Sequence, residues 1–248
     1  MPFDAAWHFQ RAQGSYDQAA TIQRSMAEHL VSALRPLAPP RGWSKVFELG
    51  CGALTLTQRL CAVFSEQDLW LNDLWSPPPE RLQKLPCRQI HFLEGDAEHI
   101  DWPRNCSLIA ANAVLQWFQQ PLSVFSKAYE ALEPDGFLAL GLFLPGTFAE
   151  FQKASGRGLD YPSEQAWTQA AESQRWREVF RQTATTTLNF PSARALMQHL
   201  RDTGVNGTAR EVWTRSRWEH FLANYPRSSD GSWPLTYHSW LWILRRPS

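Results

Sequence analysis

Between Tyr16 and Leu37 apolar residues recur at helical spacing, through Ile22, Met26, Leu30 and Leu34, and the run stops at the proline-rich stretch Pro36 to Pro40. This pattern predicts a helix with one buried face that leads into a linker. From residue 45 the period changes. Val46 to Leu49, Leu69 to Asn72, Gln89 to Leu93, Ser107 to Ala111 and Phe137 to Phe143 are short apolar runs that end at polar or glycine-containing turns. They read as buried strands. Between them, Thr55 to Phe64 places Leu56, Leu60 and Phe64 on one helical face, Pro79 to Lys84 allows a short helix, and Leu122 to Leu132 a longer one before the turn Pro134-Asp135-Gly136. Alternation of strand and helix over residues 45–145 predicts a parallel sheet covered by helices on both faces. Farther on, Gly146 to Arg181 reads as mostly polar helix, Thr183 to Phe190 as a β-branched strand, and Ser192 to Arg201 as a helix ended by Gly204. Leu235 to Leu244 closes the chain as a strand with Pro234 at its start. A helix–strand pair after five parallel strands predicts one reversed strand in the edge region of the sheet.

With 248 residues the chain can bury one sizeable core, and a single domain is expected. Lysine plus arginine equal aspartate plus glutamate at 24 each, so bulk charge supports neither a nucleic-acid partner nor a membrane surface. The distribution is uneven. Residues 1–150 hold 11 basic and 16 acidic side chains and residues 151–248 hold 13 and 8, which suits an acidic partner on the C-terminal side or reflects surface scatter. Cys51, Cys61, Cys87 and Cys106 form no CxxC pair and have no partnered histidine spacing, so neither a metal site nor a disulfide framework is indicated. That usage fits a reduced, cytoplasmic setting. The start Met1-Pro2-Phe3-Asp4 lacks a signal-peptide pattern, and no run approaches the roughly 20 apolar residues of a membrane span. The thirteen tryptophans are expected in the core and in pocket walls.

Candidate chemistry gathers where strands end. Lys45-Val46-Phe47-Glu48-Leu49-Gly50-Cys51-Gly52 is an apolar strand closed by an acid and two glycines, a junction at which backbone can approach a ligand closely. In an open α/β sheet ligands lie outside the carboxyl ends of the strands, and here those ends carry Glu48, Asp73, Asp96 and Asn112. Asp73 stands 25 residues beyond Glu48, about where an acid accepts from ribose hydroxyls in nucleotide folds. Asp96 is placed to accept from an adenine amino group, and the Ala97 amide to donate to a ring nitrogen. A dinucleotide would need its pyrophosphate on a GxGxxG helix N-terminus, but residues 50–55 read Gly-Cys-Gly-Ala-Leu-Thr and Glu48 would repel a phosphate. A cationic sulfonium, that of S-adenosylmethionine, matches better. Leu54 occupies the position where a third small residue is expected, so its side chain either displaces the ligand or turns away through a shifted loop.

These features resemble the class I S-adenosylmethionine-dependent methyltransferases, and more narrowly the malonyl-[acyl-carrier protein] O-methyltransferases of biotin synthesis. Phe9 to Asp17 is similar to that family's F-x-R-A-x-x-x-Y-D start, Asn112 to Trp117 to its N-x-x-L-Q-W segment, and Leu144 to Glu150 to its G-P-G-T-x-x-E stretch. Leu196 to Val205 and Pro234-Leu235-Thr236-Tyr237 resemble its late helix and closing strand. The resemblance implies a Rossmann-like fold with a largely parallel seven-stranded sheet, one antiparallel strand and helices on both faces. Residues 1–40 would form an N-terminal helical lid, 41–145 the cofactor-binding core, and 146–248 the substrate-side helices and closing strands. It implies methylation of the free carboxylate of a malonyl thioester on acyl carrier protein, initiating pimeloyl synthesis. A carboxylate is already ionised at pH 7, so no general base and no metal are expected. Glu48, Gly50 and Gly52 would line the methionine end of the cofactor, Asp73 the ribose, Asp96 and Ala97 the adenine, and Asn112 the sulfonium region. Tyr16 would close over the site, or serve only as a helix anchor. Trp117 would wall the substrate side and Gln116 supply a polar handle, with Arg11 a candidate seat for the malonyl carboxylate. Arg175, Arg177, Arg181, Arg210, Arg215 and Arg217 would meet the acidic carrier protein, with helices Glu164 to Arg181 and Arg217 to Tyr225 flanking the pocket mouth. The chain is expected to act as a monomer. Two alternatives stay open: a degenerate fold that only binds carrier protein, and a methyltransferase for another small acid.

Overall fold

The computed structural model describes residues 19–40, 42–64, 68–204 and 213–248. Tyr16, Arg11 and Arg210, and residues 1–18 of the lid segment, lie outside the described residues. Helix α1 (Thr21–Leu34) buries Ile22, Met26, Leu30 and Leu34, the stripe seen in the sequence, and ends in a short 3-10 turn at Arg35–Leu37. Strands β1 (Lys45–Leu49), β2 (Asp68–Asp73), β3 (Gln89–Glu94) and β4 (Cys106–Asn112) then alternate with α2 (Thr55–Val63) and the single turn α3 (Pro79–Leu82). Next come α4 (Val124–Ala131), β5 (Leu132–Phe143), α5 (Ala149–Ser155), α6 (Glu164–Ser173), β6 (Arg177–Phe190), α7 (Ala193–Asp202), α8 (Arg215–Asn224) and β7 (Trp233–Arg245).

The seven strands form one sheet in the order β3-β2-β1-β4-β5-β7-β6. β1 to β5 run parallel, and β7 is antiparallel to both of its neighbours, so the single reversed strand lies one place in from the edge. β4 is the central strand and is buried from Cys106 to Ala111, as a strand covered on both faces must be. Alternation along β1 sends Val46 to a core shared with α1, α2, α5, α7 and α8, while Phe47 and Leu49 face a second core built with α4 and Trp167 of α6. Helices therefore cover both faces.

Three expectations are corrected. The helix before the fifth strand ends at Ala131, and β5 begins at Leu132, because the Pro134-Asp135-Gly136 turn is absorbed as an irregularity between the pairs Cys106–Leu132 and Leu108–Phe137. The polar stretch from Gly146 to Arg181 is not a continuous helix. Gly156, at φ 67°, ends α5, Ser163 caps α6 by accepting from the Ala166 N–H, and β6 already starts at Arg177. β6 is an edge strand with Arg181 to Thr187 exposed, so no apolar alternation marked its first half. Cys61 and Cys87 form a disulfide with Cα atoms 5.8 Å apart. The excursion through β2 and α3 brings residue 87 back beside α2, a proximity that cysteine spacing does not encode. Cysteine usage accordingly no longer argues for a reducing compartment.

β7 is longer than its partner β5. Phe143, the last residue of β5, pairs with Ser239, so Trp233 to His238 together with Thr185 to Phe190 of β6 stand beyond the carboxyl edge of the parallel strands. α5 leaves that edge with the Phe148 N–H bonded to the Thr236 carbonyl, and α8 packs along it through Phe151 and Phe221. Phe221 also stacks on Trp233, and the Tyr225 hydroxyl donates to the Pro234 carbonyl at 2.5 Å. This assembly is an aromatic wall on the same end of the sheet as the acidic strand termini.

Candidate active site

The turn after β1 determines the shape of the site. Gly50, Gly52 and Leu54 all take left-handed backbone conformations, with φ of 62°, 48° and 64°. At Gly50 the bare Cα is needed for packing, since a Cβ would fall 2.2 Å from Cγ2 of Val114 in the loop after β4. Gly52 faces open space instead, and its N–H donates to Asp73 Oδ2 at 2.7 Å. Leu54 keeps the conformation that glycine would favour, at a cost of about 1–2 kcal/mol. Its side chain is fully buried in the core with α1, and burial of a leucine side chain contributes about 1.5–3 kcal/mol, enough to hold the strained backbone. The leucine therefore turns away and leaves the cleft open.

Glu48 is 2% exposed and accepts a hydrogen bond from the buried Thr57 hydroxyl of α2 at 2.7 Å. Burial pushes its carboxyl up to about 8; the Thr57 bond opposes that shift and the nearby Asp73 charge adds to it. Asp73 also has its carboxyl raised by burial, although the Gly52 and Leu74 N–H groups that it accepts from favour the ionised form. Asn72 is buried beside it and donates to the carbonyls of Leu93 and Gly95, both at 2.9 Å, which joins the ends of β2 and β3. Beyond that joint Asp96 accepts from the Glu98 N–H at 3.0 Å, and Ala97 is buried with its carbonyl taken by Trp102 Nε1 at 2.8 Å. On β4, Asn112 donates to the Gln23 carbonyl of α1 at 3.0 Å. Its Oδ1 and the Oε1 of Gln23 are buried acceptors without a protein partner.

Glu48, Gly50, Gly52, Asp73, Asp96, Ala97 and Asn112, all anticipated, line one cleft enclosing about 1070 Å³, part of it open to solvent. Trp117 joins them from the 3-10 turn Leu115–Trp117. Gln116 does not line the cleft; its Nε2 donates at 2.7 Å to the Ala113 carbonyl within its own turn. Gln23, Asn72, Trp75 and Phe118 also line the cleft and were not anticipated. Gln23 carried a usable signal, being a polar residue beside Ile22 and four positions before Ala27 on the buried side of α1. No basic side chain is among the lining residues, whereas three carboxyl groups are. The cleft thus offers acceptors to a ligand and suits a cation better than a phosphate. No cluster of metal-ligating side chains occurs among the described residues.

The anticipated arginines do not form one surface. Arg177 pairs across the sheet with Arg245, level with Phe137 at the amino end of β5, so Arg175 and Arg177 lie at the end of the sheet opposite the cleft. Arg181 is held by Glu164 and Glu178, both at 2.7 Å, beneath Trp240 and Trp242. Arg215 pairs with Glu219 at 2.9 Å. Among the described arginines of this set, Arg215 and Arg217, at the start of α8, are on the cleft side.

Residues 47–140 match a family model described as a methyltransferase domain. A malonyl-[acyl-carrier protein] O-methyltransferase of Acinetobacter baylyi is 30% identical over 98% of this chain and 96% of its own. One of Chlorobium phaeovibrioides is 33% identical over 96% and 94%. One of Bacteroides fragilis is 34% identical over 94% of this chain but only 48% of its own, so the chain spans about half the length of that relative. Among solved structures, the N-methyltransferase NodS of Bradyrhizobium japonicum in complex with S-adenosyl-L-homocysteine aligns over 99% of this chain and all of its own, at a TM-score of 0.58 and 14% identity. The [4+2]-cyclase SpnF aligns over 89% of this chain and 80% of its own at a TM-score of 0.57 and 14% identity. The architecture thus hosts more than one chemistry, and what this chain does has to come from its close relatives and its own cleft.

Proposed function

The chain belongs to the malonyl-[acyl-carrier protein] O-methyltransferase family, and from that membership we propose that it methylates the free carboxylate of a malonyl thioester on acyl carrier protein, using S-adenosylmethionine, to start a pimeloyl chain for biotin. The observation that carries the reading is the lining of the cleft: the carboxyl groups of Glu48, Asp73 and Asp96 with no basic side chain among them, Glu48 being buried with its carboxyl raised by that burial. A cationic ligand there favours the ionised form of Glu48.

In this reading Glu48, Asn112 and Gln23 hold the charged end of the cofactor, and the open space at Gly52 admits it. Asp73 meets the ribose, and Asp96 with Ala97 the adenine. Bound there, S-adenosylmethionine supplies a methyl group on a positively charged sulfur. The chain's own work is placement. A malonyl carboxylate needs no deprotonation at pH 7, so catalysis rests on aligning its oxygen and keeping water away. Trp117, 5% exposed, and Phe118 form the dry side of the cleft. Gln116 contributes by holding the turn that presents Trp117, and the role proposed for Tyr16 is that of a lid residue. A monomer is taken as the working unit. The same reading places the reaction in the cytoplasm.

Methyl transfer measured side by side on malonyl carrier protein, malonyl-coenzyme A and aconitate tests the proposal. The carrier-bound substrate is expected to have the highest kcat/KM. Comparable or greater turnover of aconitate would redirect the enzyme to another small acid, and no S-adenosylmethionine binding at millimolar ligand in a calorimeter would leave a carrier-protein binder without catalysis.

A further inference from the structure

A second hollow lies on the cleft side of the sheet, between the C-terminal end of α5 and the first turn of α8. Ser155, Arg157, Trp213, Ser216, Arg217 and His220 line it, and it encloses about 720 Å³, part of it open to solvent. Its chemistry is the reverse of the cofactor cleft: two guanidinium side chains, an imidazole and two hydroxyls, with no carboxylate on the wall. The Arg157 guanidinium lies over the Trp213 ring, 4.8 Å from its centroid. Stacking of this kind fixes the plane of the group and directs its N–H donors outward along that plane, the geometry that grips oxyanions in pairs. α5 departs from the carboxyl edge of the sheet and α8 packs against it, and the hollow, at the C-terminal end of α5, shares no lining residue with the cleft. Arg175 and Arg177, at the other end of the sheet, cannot contribute.

We propose that this hollow seats the phosphodiester through which the pantetheine arm is attached to the carrier protein. The inference rests on the reading of a carrier-borne thioester. Along such an arm the phosphodiester is the one permanently charged group, and it stands at the end remote from the thioester, as the hollow is lined separately from the cleft. The site would fix the root of the arm while its thioester end reaches Trp117. Arg157 and Arg217 need not be without other partners for this, since a guanidinium has five N–H donors to share.

Three substrates separate this idea from general charge attraction: malonyl-pantetheine, malonyl-4′-phosphopantetheine and malonyl carrier protein, each assayed with the full chain and with the Arg157→Gln/Arg217→Gln double variant. Wild type is expected to show a KM about tenfold lower for the phosphorylated small thioester than for the unphosphorylated one, a preference that shrinks as salt is raised. In the double variant the ratio should fall to about one, and KM for the carrier protein should rise by about the same factor while kcat changes less than about twofold. His220→Gln, exposed on the same helix, should lower the ratio in the same direction and stands in should the double variant unfold. A wild type indifferent to the phosphate overturns the proposal. So does a variant that loses only the carrier protein and keeps the small-thioester ratio, which would assign the arginines to the carrier's protein surface. If wild type methylates no malonyl thioester, the function proposed above fails by itself. Calorimetric titration with 4′-phosphopantetheine against pantetheine then decides the hollow: binding of the former alone, abolished in the double variant, supports it, and equal behaviour of the two ligands refutes it.

Discussion

The cofactor cleft and the aromatic wall beyond it lie on one end of the same sheet, yet they are built in opposite ways. The cleft is formed by short turns at the ends of parallel strands, with carboxyl groups held by backbone N–H and one hydroxyl. The wall is formed by ring packing of Phe151, Phe221, Tyr225 and Trp233 on a projecting two-stranded ribbon, with cations on its outer side. Each region has the charge opposite to that of the ligand part proposed for it, a sulfonium and amine in one, a phosphate in the other. From the basic excess of residues 151–248, Arg157 and Arg217 contribute to this contrast, whereas Arg175 and Arg177 lie at the other end of the sheet.

The sharpest way to break the comparison is to remove the ring that joins the wall. Phe221 is fully buried and touches Phe151, Trp218, Tyr225 and Trp233. Phe221→Ala should cost about 3–5 kcal/mol of stability in chemical denaturation. If the regions are as separate as their construction suggests, the folded fraction will still bind S-adenosylmethionine with wild-type affinity while KM for carrier-bound substrate rises. Parallel loss of both would show one cooperative site.

The cofactor half has a staple that the wall lacks. The Cys61–Cys87 disulfide ties α2 to the segment that returns from Trp75, across 26 residues. A loop of that length makes a crosslink worth roughly 3 kcal/mol. Reduction, or the Cys61→Ser/Cys87→Ser variant, should lower the denaturation midpoint accordingly and speed hydrogen exchange in residues 74–88 first, leaving α8 amides little changed. Uniform acceleration would refute the local assignment.

Glu48 gives a test with a pH signature. Its carboxyl is raised to about 8 in the fold against an ordinary value of 4.5, so the folded protein holds a proton that the unfolded chain has released. The stability this provides is complete below pH 4.5 and is lost as pH rises through 8. A bound cation favours the ionised form, so S-adenosylmethionine affinity should climb over the same interval, with release of up to one proton per ligand at pH 7. Glu48→Gln should weaken the cofactor by about a hundredfold, or 2–3 kcal/mol, and flatten both pH dependences. At pH 9 the unliganded variant should melt above wild type. Calorimetry in two buffers of different ionisation enthalpy reads the proton count, and a count of zero would mean that Glu48 does not meet the cation.

How much of this was legible follows from the same contrast. The acidic termini of β1 to β3 could be read because each apolar run ends abruptly in a polar residue, and strand direction then brings those ends together. Asn112 was readable for the same reason. Thr183 to Phe190 of β6 could be read from its β-branched residues, but Arg177 to Gln182 could not, because this part of an edge strand shows no apolar alternation and its arginines looked like part of a helix. Their place at the wrong end of the sheet depends on strand direction and register, which residue type does not reveal. Gln116 was misplaced by one position of a tight turn, where neighbours point in unrelated directions. The Cys61–Cys87 pair required knowing where the chain returns after α3.

Leu54 is where residue type and backbone conformation disagree, and it gives the smallest expected effect. Leu54→Gly would relieve about 1–2 kcal/mol of left-handed strain and forfeit about 1.5–3 kcal/mol of burial, so the two nearly offset and stability should fall by about 1 kcal/mol. Leu54→Ala keeps the strain and loses most of the burial, and should therefore be the less stable of the two, contrary to the usual rank of alanine and glycine. Cofactor affinity should change little in either variant, because the side chain points into the core with α1 and away from the cleft. Denaturant midpoints for the pair check the order. An alanine variant more stable than the glycine one would mean that residue 54 relaxes out of its left-handed conformation, and the turn that presents Gly52 to the ligand would then depend on its leucine.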